Sequence, residues 1–266
     1  MSDLLLSAKK PLLRPLLQSI ISKEFIFSVK TDNVGSSSNT QFTLPLKGTL
    51  GVYSFYINWG DGSPEEYINS YDDPKKTHTF KQGAGIYQIK IRGVVKGWQF
   101  NNGGDAKKFV RVYNWGCLNP FNINAAFYGC TNLLILATDL LNLADTTGLF
   151  NFFRGCSSLT SIPNVGLWDV TSVGGYNNTF RDCPNLDMSL STWDVSGLIK
   201  ANNFLNGSQL STSNYDALLI AWEAQEVQNG VTFHGGNSTY SAGAAATARA
   251  ALISDHSWSI TDGGLA

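Results

Sequence analysis

The strongest constraint on how this chain can fold is that it repeats itself. Phe127-Tyr-Gly-Cys130, Phe153-Arg-Gly-Cys156 and Phe180-Arg-Asp-Cys183 recur at steps of 26 and 27 residues, and Leu133, Leu159 and Leu186 follow each Cys by three places. A fourth, degenerate copy reads Phe204-Leu-Asn-Gly207 and is followed by Leu210. Trp115, Leu141 and Trp168 stand twelve residues before the first three Phe positions, and Trp193 eleven before Phe204. A fixed period of about 20 to 29 residues signals a solenoid. Each turn then stacks its Phe, Cys and Leu above those of the next, making a core that no single repeat could bury.

The tripeptides Trp168-Asp-Val170 and Trp193-Asp-Val195, together with F-x-x-C-x-x-L, resemble the BspA-like leucine-rich-repeat family of surface proteins. The resemblance covers about residues 112–210 and implies a leucine-rich-repeat solenoid. It departs where Leu141 replaces Trp and Gly207 replaces Cys. Residues 211–266 read as a C-terminal cap. Ser213–Ala224 has helical spacing behind a Ser/Asn cap, Ala242–Ile253 reads as a second helix capped by Ser241, and Trp258–Gly264 as a last strand and turn. Solenoids need such atypical ends to cover their exposed core.

Upstream the period changes to two. Phe25, Phe27 and Val29 alternate with Ile26, Ser28 and Lys30, and similar alternation runs through 52–59 and 87–92. That is the mark of a half-buried antiparallel sheet, expected as a β-sandwich over 25–96. Its central phrase, Trp59-Gly-Asp-Gly62, followed by His78-Thr-Phe80 and Gly85-Ile-Tyr-Gln-Ile, resembles the PKD repeat, which implies an immunoglobulin-like sandwich. Asp61 reads first as a turn former between Gly60 and Gly62. Asp61, Ser63 and Glu65 alternate as in a calcium loop, but the remaining ligands of such a loop are absent. Residues 97–111 read as a polar linker or hairpin. The expected fold is therefore mainly β and multidomain: sandwich, solenoid, small helical cap.

Residues 1–24 form an arm in which Leu12, Leu13, Leu16, Leu17, Ile20 and Ile21 offer more apolar surface than a solvated tail carries. Its short helix either folds back on its own domain or anchors the chain to a partner. No run approaches the 18 to 20 apolar residues needed to span a bilayer, and the arm lacks the uninterrupted apolar region of a Sec signal peptide. The 266 residues carry 19 Lys and Arg against 20 Asp and Glu, so no basic field draws nucleic acid. Four Cys are too few for a disulfide framework.

The residues of the common catalytic motifs are missing from their usual settings. His78, His234 and His256 form no ligand-spaced pair, and no P-loop, GxSxG or GxGxxG stands between a strand and a helix. No catalytic, metal or cofactor site is expected. The pattern points instead to a non-enzymatic display protein. A bacteriophage virion component, as capsid decoration, head fibre or tail fibre, reconciles a surface-type architecture with the lack of an export signal. It would be assembled in the host cytoplasm, joined through the arm to other capsid or tail proteins as a homo-oligomer, and would meet a bacterial surface glycan or protein without inserting into a membrane. The alternative is a bacterial cell-surface adhesin, and the third an accessory module of a carbohydrate-active enzyme. Thr160 and Asp187, between the stacked Leu positions, are the expected contact residues, set against an ordinary solvated strand face.

Overall fold

The computed structural model describes residues 24–266. Within them the period-two segments become strands β1 (Glu24–Lys30), β2 (Gln41–Thr43), β3 (Val52–Asn58), β4 (Glu66–Ile68), β5 (Thr77–Thr79) and β6 (Ile86–Lys96). Phe25, Phe27 and Val29 on β1 lie opposite Ile91, Ile89 and Tyr87 on β6. All six are buried, as are Tyr53, Phe55 and Ile57 of β3. At about 1.5 to 3 kcal/mol per fully buried large side chain, this one face fixes the register, because a one-residue slip would turn it into water. Strands β2 and β5 pair separately and place Phe42 at 6.3 Å from Phe27.

The sheet does not stop where the expected sandwich ends. It continues through β7 (Phe109–Asn114), β8 (Leu118–Asn119) and β9 (Leu134–Ile135) in the order β4-β3-β6-β1-β7-β9, with β8 beside β6. Strand β7 pairs antiparallel with β1 and parallel with β9, so it belongs to the N-terminal sheet and to the repeats at once. One buried apolar cluster runs from Phe25 to Trp258. The sandwich and solenoid, expected as separate units from their two periodicities, are thus joined by backbone pairing and by a common core. The chain is mainly β and turn, with few helices.

The repeats stack coil on coil. Phe127 N donates to Phe152 O (2.8 Å), Phe153 N to Thr179 O (2.9 Å) and Phe180 N to Phe204 O (3.0 Å). Two residues on, Gly129 N donates to Arg154 O, Gly155 N to Arg181 O and Asp182 N to Asn206 O at 2.8 to 2.9 Å. Inside this ladder the rings of Phe127, Phe153 and Phe180 stack at 5.4 and 5.7 Å, within 9° of parallel. The Cys156 thiol donates to Phe127 O and the Cys183 thiol to Phe153 O.

Two copies fall elsewhere than the sequence spacing suggested. The partner of Phe180 N is Phe204 O, and in each earlier coil that acceptor precedes the repeat Phe, so Leu205 occupies the Phe position and Ser208, not Gly207, the Cys position. Ser208 Oγ donates to Phe180 O as the thiols do in earlier coils (2.6 Å). Upstream, Phe100 N donates to Ala126 O and Asn102 N to Tyr128 O, which makes Phe100-Asn-Asn-Gly103 a further coil inside the expected linker 97–111. The same stretch holds a short 3-10 helix (Ala106–Lys108) and the start of β7. The backbone agrees with this assignment. The residues two places before and two places after the Phe position are left-handed in four coils: Ala125 and Gly129, Asn151 and Gly155, Asn178 and Asp182, Asn203 and Gly207. Gly is the natural occupant of such positions and Asn the next best.

Helix α1 (Thr212–Glu223) is capped by Ser211, whose hydroxyl accepts from Asn214 N, and buries Tyr215, Leu218, Leu219 and Trp222. Helix α2 (Ala244–Ser254) starts after Gly243 rather than at the expected Ser241 cap. Strands β10 (Thr232–His234) and β11 (Ser259–Thr261) pair in parallel. Ala201 N and Leu205 N donate to Thr232 O and His234 O, so this C-terminal unit covers the last coil. Asp262 ties it shut, accepting from Arg249 (2.7 Å) and from the Tyr215 hydroxyl (2.8 Å).

Candidate functional site

The coil geometry decides which side chains can face outward together. In each F-x-x-C turn the Phe and Cys point into the core, and the residue after Phe lies on the outer row. That row reads Asn101, Tyr128, Arg154, Arg181 and Asn206, all partly or fully exposed. Successive members are separated by the strand spacing of about 4.7 to 4.9 Å. Arg154 lies over the Tyr128 ring, 4.8 Å from its centroid. Asp182 stands where Gly129, Gly155 and Gly207 stand in three other coils, and its Oδ2 is 3.4 Å from Arg181 Nε and 3.8 Å from Arg154 Nε. Asn206 Nδ2 is 3.1 Å from His234 Nε2, which continues the polar row onto the cap. Burial lowers the His234 pKa, and neighbouring Arg181 adds to the effect while Asp262 opposes it. The row is therefore a regular array of one aromatic ring, two guanidiniums and amides.

Sequence reasoning missed this row although its signal was in plain view, since the second residue of the motif runs Tyr, Arg, Arg. The residues it selected, Thr160 and Asp187, are both exposed, as their position between the stacked Leu residues implied. The Thr160 carbonyl accepts from Asp187 N (2.8 Å), which links their coils. The Asp187 carboxylate accepts from Ser211 N, Ser211 Oγ and Asn214 Nδ2 at 2.8 to 3.0 Å. Partial burial pushes its pKa up, but the bonds from Asn214 and Ser211 outweigh that and lower it. Asp187 thus holds the start of α1, and its carboxylate is engaged within the chain. Leu12, Leu13, Leu16, Leu17, Ile20 and Ile21 lie outside the described residues.

The N-terminal turn contains Ser63, Asp61 and His78, the side chains of a hydrolase triad, in the wrong order. Asp61 is central, taking Ser63 N (3.0 Å) and the Ser63 hydroxyl on Oδ1, and His78 Nε2 (2.9 Å) and Lys81 N (3.2 Å) on Oδ2. In a triad the imidazole stands between hydroxyl and carboxylate. Here His78 instead stacks on Trp59 at 4.7 Å. Burial raises the Asp61 pKa, but the Ser63 and His78 bonds, with the two amides, outweigh it and hold the carboxyl far below the usual range. Asp61 is the turn former its sequence setting implied.

Burial pushes the thiols of Cys130 and Cys156 well up, and that of Cys183 to about 12, which removes their nucleophilic form. Among the described residues no group of three or more His, Cys, Asp or Glu is placed to hold a metal ion. Nor is any helix among them long and apolar enough to cross a membrane.

Residues 99–239 match the model of a family described as Mycoplasma protein of unknown function, DUF285. The match begins one residue before Phe100 of the added coil and ends beyond β10, so it takes in the whole stack. No curated protein and no solved structure matches the chain.

Proposed function

The chain belongs to the DUF285 family, and on that premise we propose that it is a non-enzymatic recognition protein, displayed by a bacteriophage virion as capsid decoration, head fibre or tail fibre. The observation that carries this reading is the outer row itself. A repeated turn, locked by backbone bonds to its neighbours, sets Tyr128, Arg154, Arg181 and Asn206 in fixed register over a buried apolar core. Rigid periodic arrays suit contact with an extended partner. In the finer reading, residues 25–96 are a PKD-like sandwich and the coils a BspA-like leucine-rich-repeat solenoid. The apolar arm then joins the protein to other virion subunits.

Assembly in the host cytoplasm accords with four free cysteines, three of them buried in the core, because thiols persist in a reducing compartment. The second reading, a bacterial cell-surface adhesin, draws on the family match, whose relatives include the BspA-like surface proteins. Quantitative mass spectrometry of purified particles and of cell envelopes from the producing culture tests both. Stoichiometric recovery with the particles supports the virion; recovery only with envelopes moves the protein to the cell surface. Recovery in neither fraction refutes display. Removing residues 1–22 should leave a folded chain that no longer joins the particle, whereas loss of cooperative unfolding would assign the arm to the protein's own core.

A further inference from the structure

The outer row carries an uncompensated charge. Arg154 and Arg181 are neighbours on adjacent coils and share one carboxylate, Asp182, at 3.8 and 3.4 Å. Both distances exceed those of a good hydrogen bond. The two Nε atoms are buried and have no hydrogen-bond partner among the described residues, yet 27% and 33% of the side chains are exposed. The solvent-facing part of each side chain therefore lies away from Nε. Arg154 Nη1 also donates to Asn151 Oδ1, at 3.4 Å. A guanidinium offers five N–H donors in a planar fork that fits a carboxylate with two parallel bonds. Two such forks with one poorly placed carboxylate between them leave donors for another.

The backbone decides what kind of molecule brings it. An extended peptide gains main-chain hydrogen bonds by adding a strand to an open sheet edge, and without such an edge an acidic peptide keeps only its side-chain contacts to arginines. Along this row the amides of Gly129, Gly155 and Asp182 already donate to the next coil, so only side chains are on offer. A sugar polymer needs nothing else. Asn151, whose Oδ1 accepts from Arg154, and Asn206, whose Nδ2 meets His234, stand beside the arginines at partly exposed positions, and since an amide has two N–H donors and two oxygen lone pairs, each keeps capacity for hydroxyls.

We propose that Tyr128, Arg154, Arg181 and Asn206 form a binding row for a uronic-acid glycan, its carboxylates on the two guanidiniums and its hydroxyls on the amides. The inference rests on the recognition part of the function proposed above and is independent of where the protein is displayed.

Calorimetric titration of the full chain with oligogalacturonate, with a neutral maltooligosaccharide of equal length and with poly-L-glutamate tests it. Oligogalacturonate should bind at least ten-fold more tightly than either control. The Arg154→Gln/Arg181→Gln double variant should lose at least ten-fold of that affinity with its melting temperature unchanged. In the unaltered chain, the oligosaccharide should slow amide exchange around residues 128–131, 154–157 and 181–184. Absence of binding, equal binding of the neutral sugar or of poly-L-glutamate, or full retention by the double variant overturns the proposal. If the double variant fails to fold, the exchange map decides, and protection confined to another surface refutes the assignment. A negative result here leaves the particle and envelope measurement unaffected, so the two readings fail separately.

Discussion

Ser208 provides the sharpest test of the coil stack. It lies in a segment that the sequence pattern aligned one residue off, and its hydroxyl has two partners. It donates to Phe180 O at 2.6 Å and accepts from Cys183 N at 2.8 Å, and the residue is 1% exposed. Ser208→Ala leaves a buried carbonyl and a buried N–H unsatisfied. At about 1 to 3 kcal/mol for each orphaned group, partly relieved by local relaxation, the expected loss is about 2 to 4 kcal/mol. Ser208→Cys keeps a donor where Cys183 uses one toward Phe153 O (3.1 Å), and a near-isosteric swap should cost less than about 1.5 kcal/mol. Gly207→Cys should do worse than Ser208→Cys, because Gly207 has φ 74° and an added Cβ would lie 2.6 Å from Asp182 Oδ1. Urea unfolding at unchanged m gives the three values, and amide exchange at Cys183 localises the first. If Ser208→Ala changed stability by less than about 0.5 kcal/mol, or Gly207→Cys were the best tolerated of the three, the assignment of Leu205 and Ser208 to the repeat would be wrong.

Other consequences are open to measurement. Asp61→Ala should destabilise the chain by about 2 to 4 kcal/mol at neutral pH, since Ser63 N and Lys81 N lose a buried acceptor. The folded-state pKa of Asp61 is depressed, so its contribution is complete above the unfolded value of about 3.9 and fades as pH falls below it. The melting difference between wild type and variant should therefore shrink at pH 3; a constant difference refutes the assignment. Lys108, fully buried, holds its Nζ within 2.6 to 3.1 Å of four acceptors that share its three N–H groups, Ser37 O, Ser37 Oγ, Ser38 O and Gln41 O, and lies 3.9 Å from Asp105. Lys108→Met should cost about 3 to 5 kcal/mol and free the loop 36–41 to proteolysis, and an intact loop would count against the reading. Iodoacetamide at pH 8 should label the partly exposed Cys117 before Cys130, Cys156 and Cys183, whose labelling should follow unfolding. Equal rates for all four would contradict the packing.

What the sequence makes legible is periodicity. The step between Phe127, Phe153 and Phe180, and the alternation in β1, β3 and β6, follow from burial on one face, a signal each segment carries by itself. Leu205 and Ser208 escape because they fill the shape of Phe and Cys with other atoms. Phe100-Asn-Asn-Gly103 escapes because it has no Cys and meets the left-handed requirement with Asn102 (φ 60°) rather than Gly. Pairings such as Ile26 with Asn114 and Val112 with Ile135 depend on segments far apart or on a strand of two residues, and no local pattern announces them. Asp187, which lies between the stacked Leu positions, is exposed as that placement implies, but its partners were not legible. Only the folded chain brings Ser211 and Asn214 to its carboxylate.

Strand β1 occupies the middle of its sheet, matched to β6 at seven positions and to β7 at four. The chain therefore enters the described structure through a strand held on both sides, not through a free edge. A pull applied at the N-terminus along that strand loads the β6 and β7 ladders together in shear, instead of opening one bond after another as a zipper would. Because β7 also pairs with β9, the load passes directly into the coils without crossing a hinge. A protein tethered by its first residues and gripped along its outer row would carry tension through one uninterrupted hydrogen-bonded path.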